Sequence, residues 1–249
     1  MSMFTSMSTS MSAWLILPFS LCVGSFLGVV IRRYGTGRTI LWGRSACETC
    51  AAPLTPADLI PLASFWLLRG KCRHCGAPIG WFHPAVEFSA LAIAAAALAV
   101  DGPTAAAWID AALGWALLAA AWIDFENLIL PDEITLPLIL AGLAATWWQY
   151  PPALFNHAAA AALGYLGFIL LNAAYRALRH RDGLGEGDAK LLAAAGAWLG
   201  ATQMPNEILA AGLIGIAMAL ITKTQSTAQM PFGPALALAC FGLRLSGAA

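Results

Sequence analysis

Two aspartates in this sequence stand where an ionised side chain is costly, at the edges of long apolar segments. Asp124 ends an apolar run within AWIDFENLILPDEITLP, and Asp188 closes the glycine-rich stretch GLGEGD before the next run. An ionisable residue at membrane depth indicates a functional site by default. Two carboxyls that meet across a helix interface can share one proton and so provide both a general base and a general acid. These residues therefore predict an acid–base pair.

The glycines before the second aspartate favour this interpretation. Gly185 and Gly187 can adopt left-handed backbone angles and let another chain approach closely, so we predict an active-site loop there. The stretch is not a dinucleotide-binding fingerprint, because G-x-G-x-x-G requires a glycine where Asp188 stands. In the alternative interpretation, both aspartates are interfacial residues that snorkel or cap helices, and Asp188 is a helix N-cap.

The composition predicts that these acids belong to an all-α polytopic membrane protein. Of the 249 residues, 60% are hydrophobic and 10% are charged, whereas about 25% of the residues of a soluble domain are charged. Apolar runs near the roughly 20 residues that span a bilayer indicate about eight transmembrane helices. The first run is expected to be a retained anchor and not a signal peptide, since no basic residue precedes it. The predicted spans are 13–31, 84–100, 104–123, 134–149, 154–176, 189–203, 206–222 and 230–245.

The distribution of basic residues predicts the orientation of these spans. Eight spans place twelve of the thirteen Lys and Arg residues on one side of the membrane and only Arg244 on the other. The positive-inside rule makes the basic side cytoplasmic. We therefore expect both termini outside and Asp124 and Asp188 at the cytoplasmic boundary. The net charge of zero gives no indication of a nucleic-acid partner, and none is expected.

One segment outside the bilayer is long enough to form a subdomain. Residues 32–83 lie between an N-terminal helix, 1–31, and a helical membrane domain, 84–249, and contain two Cys-x-x-Cys pairs separated by 21 residues. Two such turns complete a tetrahedron of thiolates around Zn²⁺, and four protein ligands are typical of a structural site. Two disulfides are the alternative, which the reducing cytoplasm disfavours. The predicted zinc ligands are Cys47, Cys50, Cys72 and Cys75.

The stretch between the cysteine pairs also contains an apolar segment. Residues 58–68 read DLIPLASFWLL, which is too short to span a bilayer. We expect this segment to pack into the zinc module or to lie at the membrane interface.

Several motifs, in order along the chain, resemble those of one family. GEGDAKLL, which begins at Gly185, resembles the G-x-G-D signature of the bacterial type IV prepilin peptidases, and WIDFENLILPDEITLP resembles their first aspartate motif. GSFLGVVIR, which begins at Gly24, is similar to their N-terminal signature, although asparagine is common where Gly28 stands. The paired-cysteine insert with the HPAVE that follows it, and MPFGPAL from Met230, are also similar. The resemblance covers about residues 20–242.

This resemblance implies an intramembrane aspartic protease of the bacterial inner membrane. Such enzymes cleave leader peptides from type IV prepilins and from the pseudopilins of type II secretion, and commonly methylate the new N-terminal amine with S-adenosylmethionine. Asp124 and Asp188 occupy the positions of the family's catalytic aspartates. Glu87 lies in the HPAVE segment, so it is a candidate for binding the substrate's cationic N-terminus or for methyl transfer. A buried glutamate paired with an arginine is the alternative.

The helix ends suggest different roles for the two aspartates. Asp124 ends a predicted helix, whose partial negative charge disfavours a carboxylate, and Asp188 begins one, which favours a carboxylate by about 1 kcal/mol. We therefore predict that Asp188 is the initial base and Asp124 the initial acid, within a pair that titrates jointly.

Two other functions are compatible with parts of this pattern. One is a peptidase that lacks methyl transfer. The other is a noncatalytic transporter or assembly scaffold whose acids relay protons or lock helices together. The predicted spans show no evident inverted repeat, which disfavours a transporter.

Overall fold

The computed structural model of the protein describes residues 14–36, 45–179, 185–222 and 230–247. Within these residues the fold is all-helical, as predicted, and its extended pairings are two isolated bridges in the cysteine-bearing insert. Residues 1–13, which hold the predicted outer N-terminus, lie outside the described part of the chain. The α-helices are α1 (Ile16–Arg33), α2 (Ala63–Leu67), α3 (Phe82–Asp101), α4 (Ala105–Asn127), α5 (Asp132–Gln149), α6 (Leu154–Arg179), α7 (Glu186–Leu199), α8 (Met204–Thr222) and α9 (Gly233–Leu245), and two 3₁₀ helices lie at Pro56–Leu59 and Pro151–Ala153.

A helix lies at each of the eight predicted spans. In the described part of the chain, five segments are long and apolar enough to cross a membrane, namely α1, α3, α4, α6 with the preceding 3₁₀ turn, and α8. Helix α5 has 18 residues and begins with two acids, α7 has 14 residues, and α9 is apolar but has 13. A helix needs about 20 apolar residues to span the bilayer core. The all-helical membrane class is confirmed, and a crossing by α5, α7 or α9 stays a prediction.

The chain divides into two compact units, residues 1–115 and 116–249, and the boundary falls inside α4. In the first unit, α1 packs closely on α3, because a Cβ atom on Gly24 would lie only 2.6 Å from the Cα atom of Glu87. Small residues allow this kind of backbone approach between helices in lipid. The Trp115 Nε1–H group donates to a carbonyl oxygen of α3 at 3.0 Å, so α3 is also joined to the first half of α4.

Helix α7 forms the buried centre of the second unit. It packs against α5, α6 and α9, and all of residues 191–200 are buried. The Trp198 Nε1–H group donates to the Leu138 carbonyl oxygen at 2.9 Å, and a Cβ atom on Gly196 would lie 2.6 Å from the carbonyl carbon of Ala160 in α6. A helix that is apolar on every side is a core helix. This explains why a segment of this composition can be shorter than a membrane span.

Replacing Gly196 with alanine should destabilise the protein, because the added methyl group would meet the α6 backbone, which cannot rotate away. We expect a loss of about 1–3 kcal/mol, measured as a lower thermal midpoint of the purified protein in detergent. Gly167 of α6 is a matched control, since no atom lies within 4 Å of a Cβ atom placed there. The Gly167→Ala variant should equal or slightly exceed the wild type. Equal midpoints for both variants would contradict the close contact between α6 and α7.

Candidate active site and metal centre

Asp124 lies in the last turn of α4 and is buried, with 5% of its surface exposed. The helix ends immediately afterwards, because Leu128 adopts a left-handed conformation at φ 57°. The Leu128 N–H group donates to the Asp124 carbonyl oxygen at 2.8 Å. Left-handed angles cost a non-glycine residue about 1 kcal/mol or more, and such strain is often found at functional sites. The predicted placement of Asp124 at a helix end is therefore confirmed.

The Asp124 carboxylate accepts a hydrogen bond from the start of α9. The backbone N–H group of Gly233, the first residue of that helix, donates to Asp124 Oδ2 at 2.8 Å. A Cβ atom at position 233 would lie 2.7 Å from the same oxygen, so any other residue there would displace the carboxyl or the start of α9. No role was predicted for Gly233 from the sequence, although it lies in the MPFGPAL motif. The signal in the sequence that could have indicated this role is a glycine at the start of a helix, shortly after Met230 and Pro231.

Asp188 is the third residue of α7 and is half-buried. Gly185 is the N-cap residue, and its backbone hydrogen-bonds to the Asp188 carboxylate. The alternative interpretation of Asp188 as the N-cap is therefore wrong, because Gly185 occupies that position. Asp188 lies three residues later, and its carboxylate bonds to the backbone of the N-cap residue. Acids in the first turn suit the partial positive charge of a helix N-terminus, which explains why the helix begins before the apolar run.

The backbone angles of the two signature glycines, Gly185 and Gly187, differ from those predicted. Gly185 has φ −74°, and Gly187 lies within α7 and is not among the residues with positive φ. The expected left-handed angles are therefore wrong. Close approach does occur at Gly187, where a Cβ atom would lie 2.7 Å from the Cβ atom of Leu130. Because Leu130 belongs to the connection that follows Asp124, this contact holds the start of α7 against that connection.

An ion pair also joins these elements. Lys190 Nζ lies 2.6 Å from Asp132 Oδ1, which links the second turn of α7 to the first residue of α5. Asp132 directly follows the α4–α5 connection, which contains Leu130. The ion pair and the Gly187–Leu130 contact therefore join the same two segments. Together they hold the first turn of α7, which carries Asp188, beside the segment that leaves Asp124.

The structure brings the two predicted aspartates within electrostatic reach of each other, since the charge of Asp124 acts on Asp188. Each carboxyl also has a backbone partner, Gly233 for Asp124 and Gly185 for Asp188. Two carboxyls at close range do not readily both ionise, so a pair of this kind can share one proton. Such a pair can take a proton from water with one member and give a proton to a leaving group with the other.

Glu87 lies in the first unit, in the second turn of α3, and is buried, with 7% of its surface exposed. Its Oε2 atom accepts a hydrogen bond from the Leu62 N–H group at 2.8 Å, and the side chain of Ser25 in α1 also hydrogen-bonds to the carboxyl. Leu62 itself has φ 56°, so the carboxyl holds a strained backbone position. Glu87 therefore links α1, α3 and the start of α2.

The four predicted metal ligands come together in the insert. Their sulfur atoms all lie within 4.8 Å of one another, and the Sγ atoms of Cys47 and Cys75, one from each pair, are 4.0 Å apart. A tetrahedral zinc ion with Zn–S bonds of about 2.3 Å holds its sulfurs about 3.8 Å apart. The spacing and the all-sulfur donor set therefore fit a single metal ion, so the cluster can hold one.

The cluster is built from two nearly identical turns. In the first, the Cys47 N–H group donates to the Ala52 carbonyl oxygen at 2.9 Å, and in the second, the Cys72 N–H group donates to the Ala77 carbonyl oxygen at 2.8 Å. The residue after each pair is left-handed, Ala51 at φ 55° and Gly76 at φ 70°. Gly76 makes this turn at little conformational cost, and Ala51 makes the same turn at a higher cost.

Backbone groups tune the first thiol of this cluster. The backbone hydrogen bond from Cys50, with a second from Thr49, lowers the pKa of Cys47 to about 6. A thiolate is the form that binds metal. The first turn is therefore prepared for a metal ion near neutral pH.

A helical protein with membrane-spanning segments and an aspartate pair at helix ends has the arrangement expected of an intramembrane aspartic hydrolase. Residues 19–100 match the bacterial peptidase A24 N-terminal domain, and residues 111–220 match the type IV leader peptidase family. The chain belongs to the type IV leader peptidase family. The two matched regions include the cysteine cluster and the aspartate pair, respectively.

Relatives of similar length are proteins named prepilin leader peptidase/N-methyltransferase. The one from Burkholderia pseudomallei strain 1026b is 36% identical over 94% of this chain and 85% of its own. The Aeromonas hydrophila protein is 36% identical over 90% of this chain and 87% of its own. The Pseudomonas aeruginosa protein is 32% identical over 90% of this chain and 89% of its own. No solved structure matches the chain.

Proposed function

We propose that this protein cleaves leader peptides from type IV prepilins and pseudopilins and then methylates the new N-terminal residue. Its family and the names of its relatives support both activities. The observation that carries the proposal for cleavage is that Asp124 and Asp188, which come from separate motifs, lie close enough for the charge of Asp124 to act on Asp188.

Cleavage at this pair needs one water molecule and no metal ion. The ionised carboxyl removes a proton from water, and the oxygen of that water attacks the scissile carbonyl carbon. The protonated carboxyl then gives its proton to the departing nitrogen as the C–N bond breaks. The products are a leader with a new carboxyl terminus and a mature protein with a free amine. The pair has exchanged its proton positions and is ready for another turnover once they re-equilibrate.

The assignment of base and acid within the pair depends on three helix ends, whereas the sequence suggested two. The third is the N-terminus of α9, which contacts Asp124. Asp124 lies at the C-terminus of α4, but its carboxylate also accepts the first N–H group of α9. The N-terminus of α9 favours a negative charge there, as the N-terminus of α7 does at Asp188. The two helix ends at Asp124 thus oppose each other. We assign the two roles to the pair jointly, and Asp188 as the initial base stays a prediction.

Methyl transfer would use S-adenosylmethionine as the second substrate, which supplies the methyl group to the new amine. This part of the proposal rests on the names of the relatives. Glu87 stays our candidate for the substrate's cationic N-terminus or for methyl transfer. Because its carboxyl holds the Leu62 N–H group, we propose that it contributes by positioning the insert as well as by its charge.

We further propose that the protein lies in the bacterial inner membrane with both termini outside and the aspartate pair at the cytoplasmic boundary. Five apolar helices support a multi-pass membrane protein. The orientation is supported by the positive-inside rule, because eight spans place twelve of the thirteen basic residues on the side of Asp124 and Asp188.

Zinc is the metal that we propose for the cysteine cluster. Four thiolates close a tetrahedral shell and leave no open position for a substrate, so the ion would be structural. Its ligands would be the two residues of each turn, and its role would be to hold the two turns of the insert together.

We expect about one zinc ion per chain in the purified protein, measured by elemental analysis. The Cys72→Ser variant should lose most of this zinc and melt at a lower temperature, because three thiolates bind the ion more weakly. Cys22, an exposed cysteine of α1, provides the control, and Cys22→Ser should keep the full zinc content. Disulfide-bonded cysteines in the intact mass of the wild type, or full zinc in Cys72→Ser, would contradict this assignment.

The proposed function is tested by incubating the protein in lipid vesicles with a synthetic prepilin and S-adenosylmethionine. We expect the substrate to be shortened at one site and the mature product to carry one added methyl group at its N-terminus, measured by mass spectrometry. A shortened product without the methyl group would support a peptidase that lacks methyl transfer. An intact substrate would favour a noncatalytic membrane protein.

A further inference from the structure

The insert carries an apolar surface that the described residues leave uncovered. We call it the aromatic surface and define it by four residues, Ile60, Trp66, Leu67 and Trp81. Leu67 is 81% exposed, and Trp66 and Trp81 are each 66% exposed. Exposed apolar clusters of this kind mark binding sites for proteins or membranes.

The position of Trp81 indicates which of these partners the surface meets. Trp81 immediately precedes α3, a helix long and apolar enough to cross a membrane, so a crossing by α3 would place Trp81 at its boundary. Its ring contacts the ring of Phe65 with centroids 4.9 Å apart and the ring of Trp66 with centroids 6.2 Å apart. Helix α2 is therefore held at the depth of the boundary. Tryptophan is enriched at this depth because its ring is apolar and its N–H group is polar.

A second contact ties the start of α2 to the same region. The Leu62 N–H group donates to Glu87 Oε2 at 2.8 Å, and Glu87 is five residues beyond Phe82, the first residue of α3. At 1.5 Å per residue, that position is about 7.5 Å along the helix from its start. Because Leu62 reaches this level, the chain around Ile60 cannot stand far above the bilayer surface.

Basic residues lie between Leu67 and Trp81 in the sequence. Arg69 and Lys71 are both exposed, and within the described residues neither takes part in an ion pair. By contrast, the next cation, Arg73, lies 2.8 Å from Asp58. Cations beside an apolar surface complement the phosphates of anionic lipids. The pattern of exposed rings with an adjacent basic rim is thus typical of an interfacial membrane-binding segment.

We propose that the aromatic surface of the insert binds the headgroup region of the leaflet in which α3 begins, with Arg69 and Lys71 on the phosphates of anionic lipids. This surface contains neither aspartate, and the proposal does not depend on catalysis. Its consequence concerns the metal cluster. Cys72 follows Lys71 directly, so lipid binding holds the second cysteine turn beside the bilayer surface.

The proposal is tested by tryptophan fluorescence of the full-length protein in lipid nanodiscs. The protein has 10 tryptophans, so the emission of Trp66 is obtained as the difference between the wild type and Trp66→Phe, which keeps an aromatic ring for the stack. We expect most of this difference to vanish when the phosphatidylcholine is brominated just below the headgroup. Aqueous iodide should quench it little. Zinc content serves to show that the variant is folded.

A pair of substitutions that removes both positive charges tests the role of Arg69 and Lys71. Brominated phosphatidylglycerol should quench Trp66 at least about twice as strongly as brominated phosphatidylcholine at equal content, since basic residues near the surface attract anionic lipid. Arg69→Gln with Lys71→Gln should remove this preference and keep the quenching by phosphatidylcholine. Strong quenching by iodide would overturn the proposal in favour of a water-exposed surface. Quenching by neither reagent would overturn it in favour of a protein partner, such as a second copy of the chain.

Discussion

Asp124→Asn and Asp188→Asn should each abolish leader-peptide cleavage, with a loss of about 10³-fold or more in the rate. Asparagine keeps the size and much of the hydrogen bonding of aspartate, but it neither accepts a proton from water nor donates one to the leaving nitrogen. In the proposed mechanism the two carboxyls act as one unit, so the double variant should be no slower than either single variant. The rates are measured on a synthetic prepilin in lipid vesicles.

Neighbouring acids provide matched controls for these variants. Glu126 lies two residues after Asp124 and Glu186 two residues before Asp188, and both side chains are exposed. Glu126→Gln and Glu186→Gln should therefore retain the wild-type rate of cleavage. Appreciable turnover by either asparagine variant would defeat the aspartate-pair mechanism, provided that the thermal midpoint shows the variant to be folded.

The Gly233→Ala variant should lose about 10²-fold in the rate of cleavage, because misplacement of a catalytic group by about 1 Å can cost that much. The new Cβ atom would lie 2.7 Å from Asp124 Oδ2 and 3.1 Å from the Cγ atom of that residue. Either the carboxyl or the start of α9 must therefore move, and the hydrogen bond from the position 233 N–H group to the carboxylate is lengthened. The rate and the thermal midpoint are measured together.

Gly242 of the same helix is the matched control, since no atom lies within 4 Å of a Cβ atom at that position. Gly242→Ala should keep both the rate and the thermal midpoint. A Gly233→Ala variant that is folded and cleaves at the wild-type rate would show that α9 does not position Asp124. A loss of rate with an unchanged midpoint would separate positioning of the carboxyl from a general effect on folding.

The helices were largely predictable, and the errors at their ends have a common cause. The predicted span 189–203 begins after the acids, whereas α7 begins at Glu186 and includes Asp188. Apolar runs exclude charged residues, but the N-terminus of a helix favours acids. Similarly, α6 continues through the basic residues to Arg179, which suit a helix C-terminus.

The candidate site was predictable only in part. Asp124, Asp188 and the cysteines stand in motifs whose residue types indicate their chemistry. Gly233 does not, because its contribution is a backbone N–H group that every residue except proline possesses. The contact of Gly187 with Leu130 was equally hidden, since a glycine in a signature can serve a turn, a substrate or a neighbouring side chain.

The sequence by itself determined the membrane class, the positions of the helices, the cysteine pairs and the two acids. These are local properties, set by hydropathy, by residue type and by spacing of a few residues. Only the tertiary structure decided that residues 191–199 of α7 are buried on all sides, that the start of α9 holds Asp124, and that Glu87 holds the insert. Each of these depends on contacts between residues distant in the chain, and a helix that is apolar on every side gives no pattern from which its neighbours can be inferred.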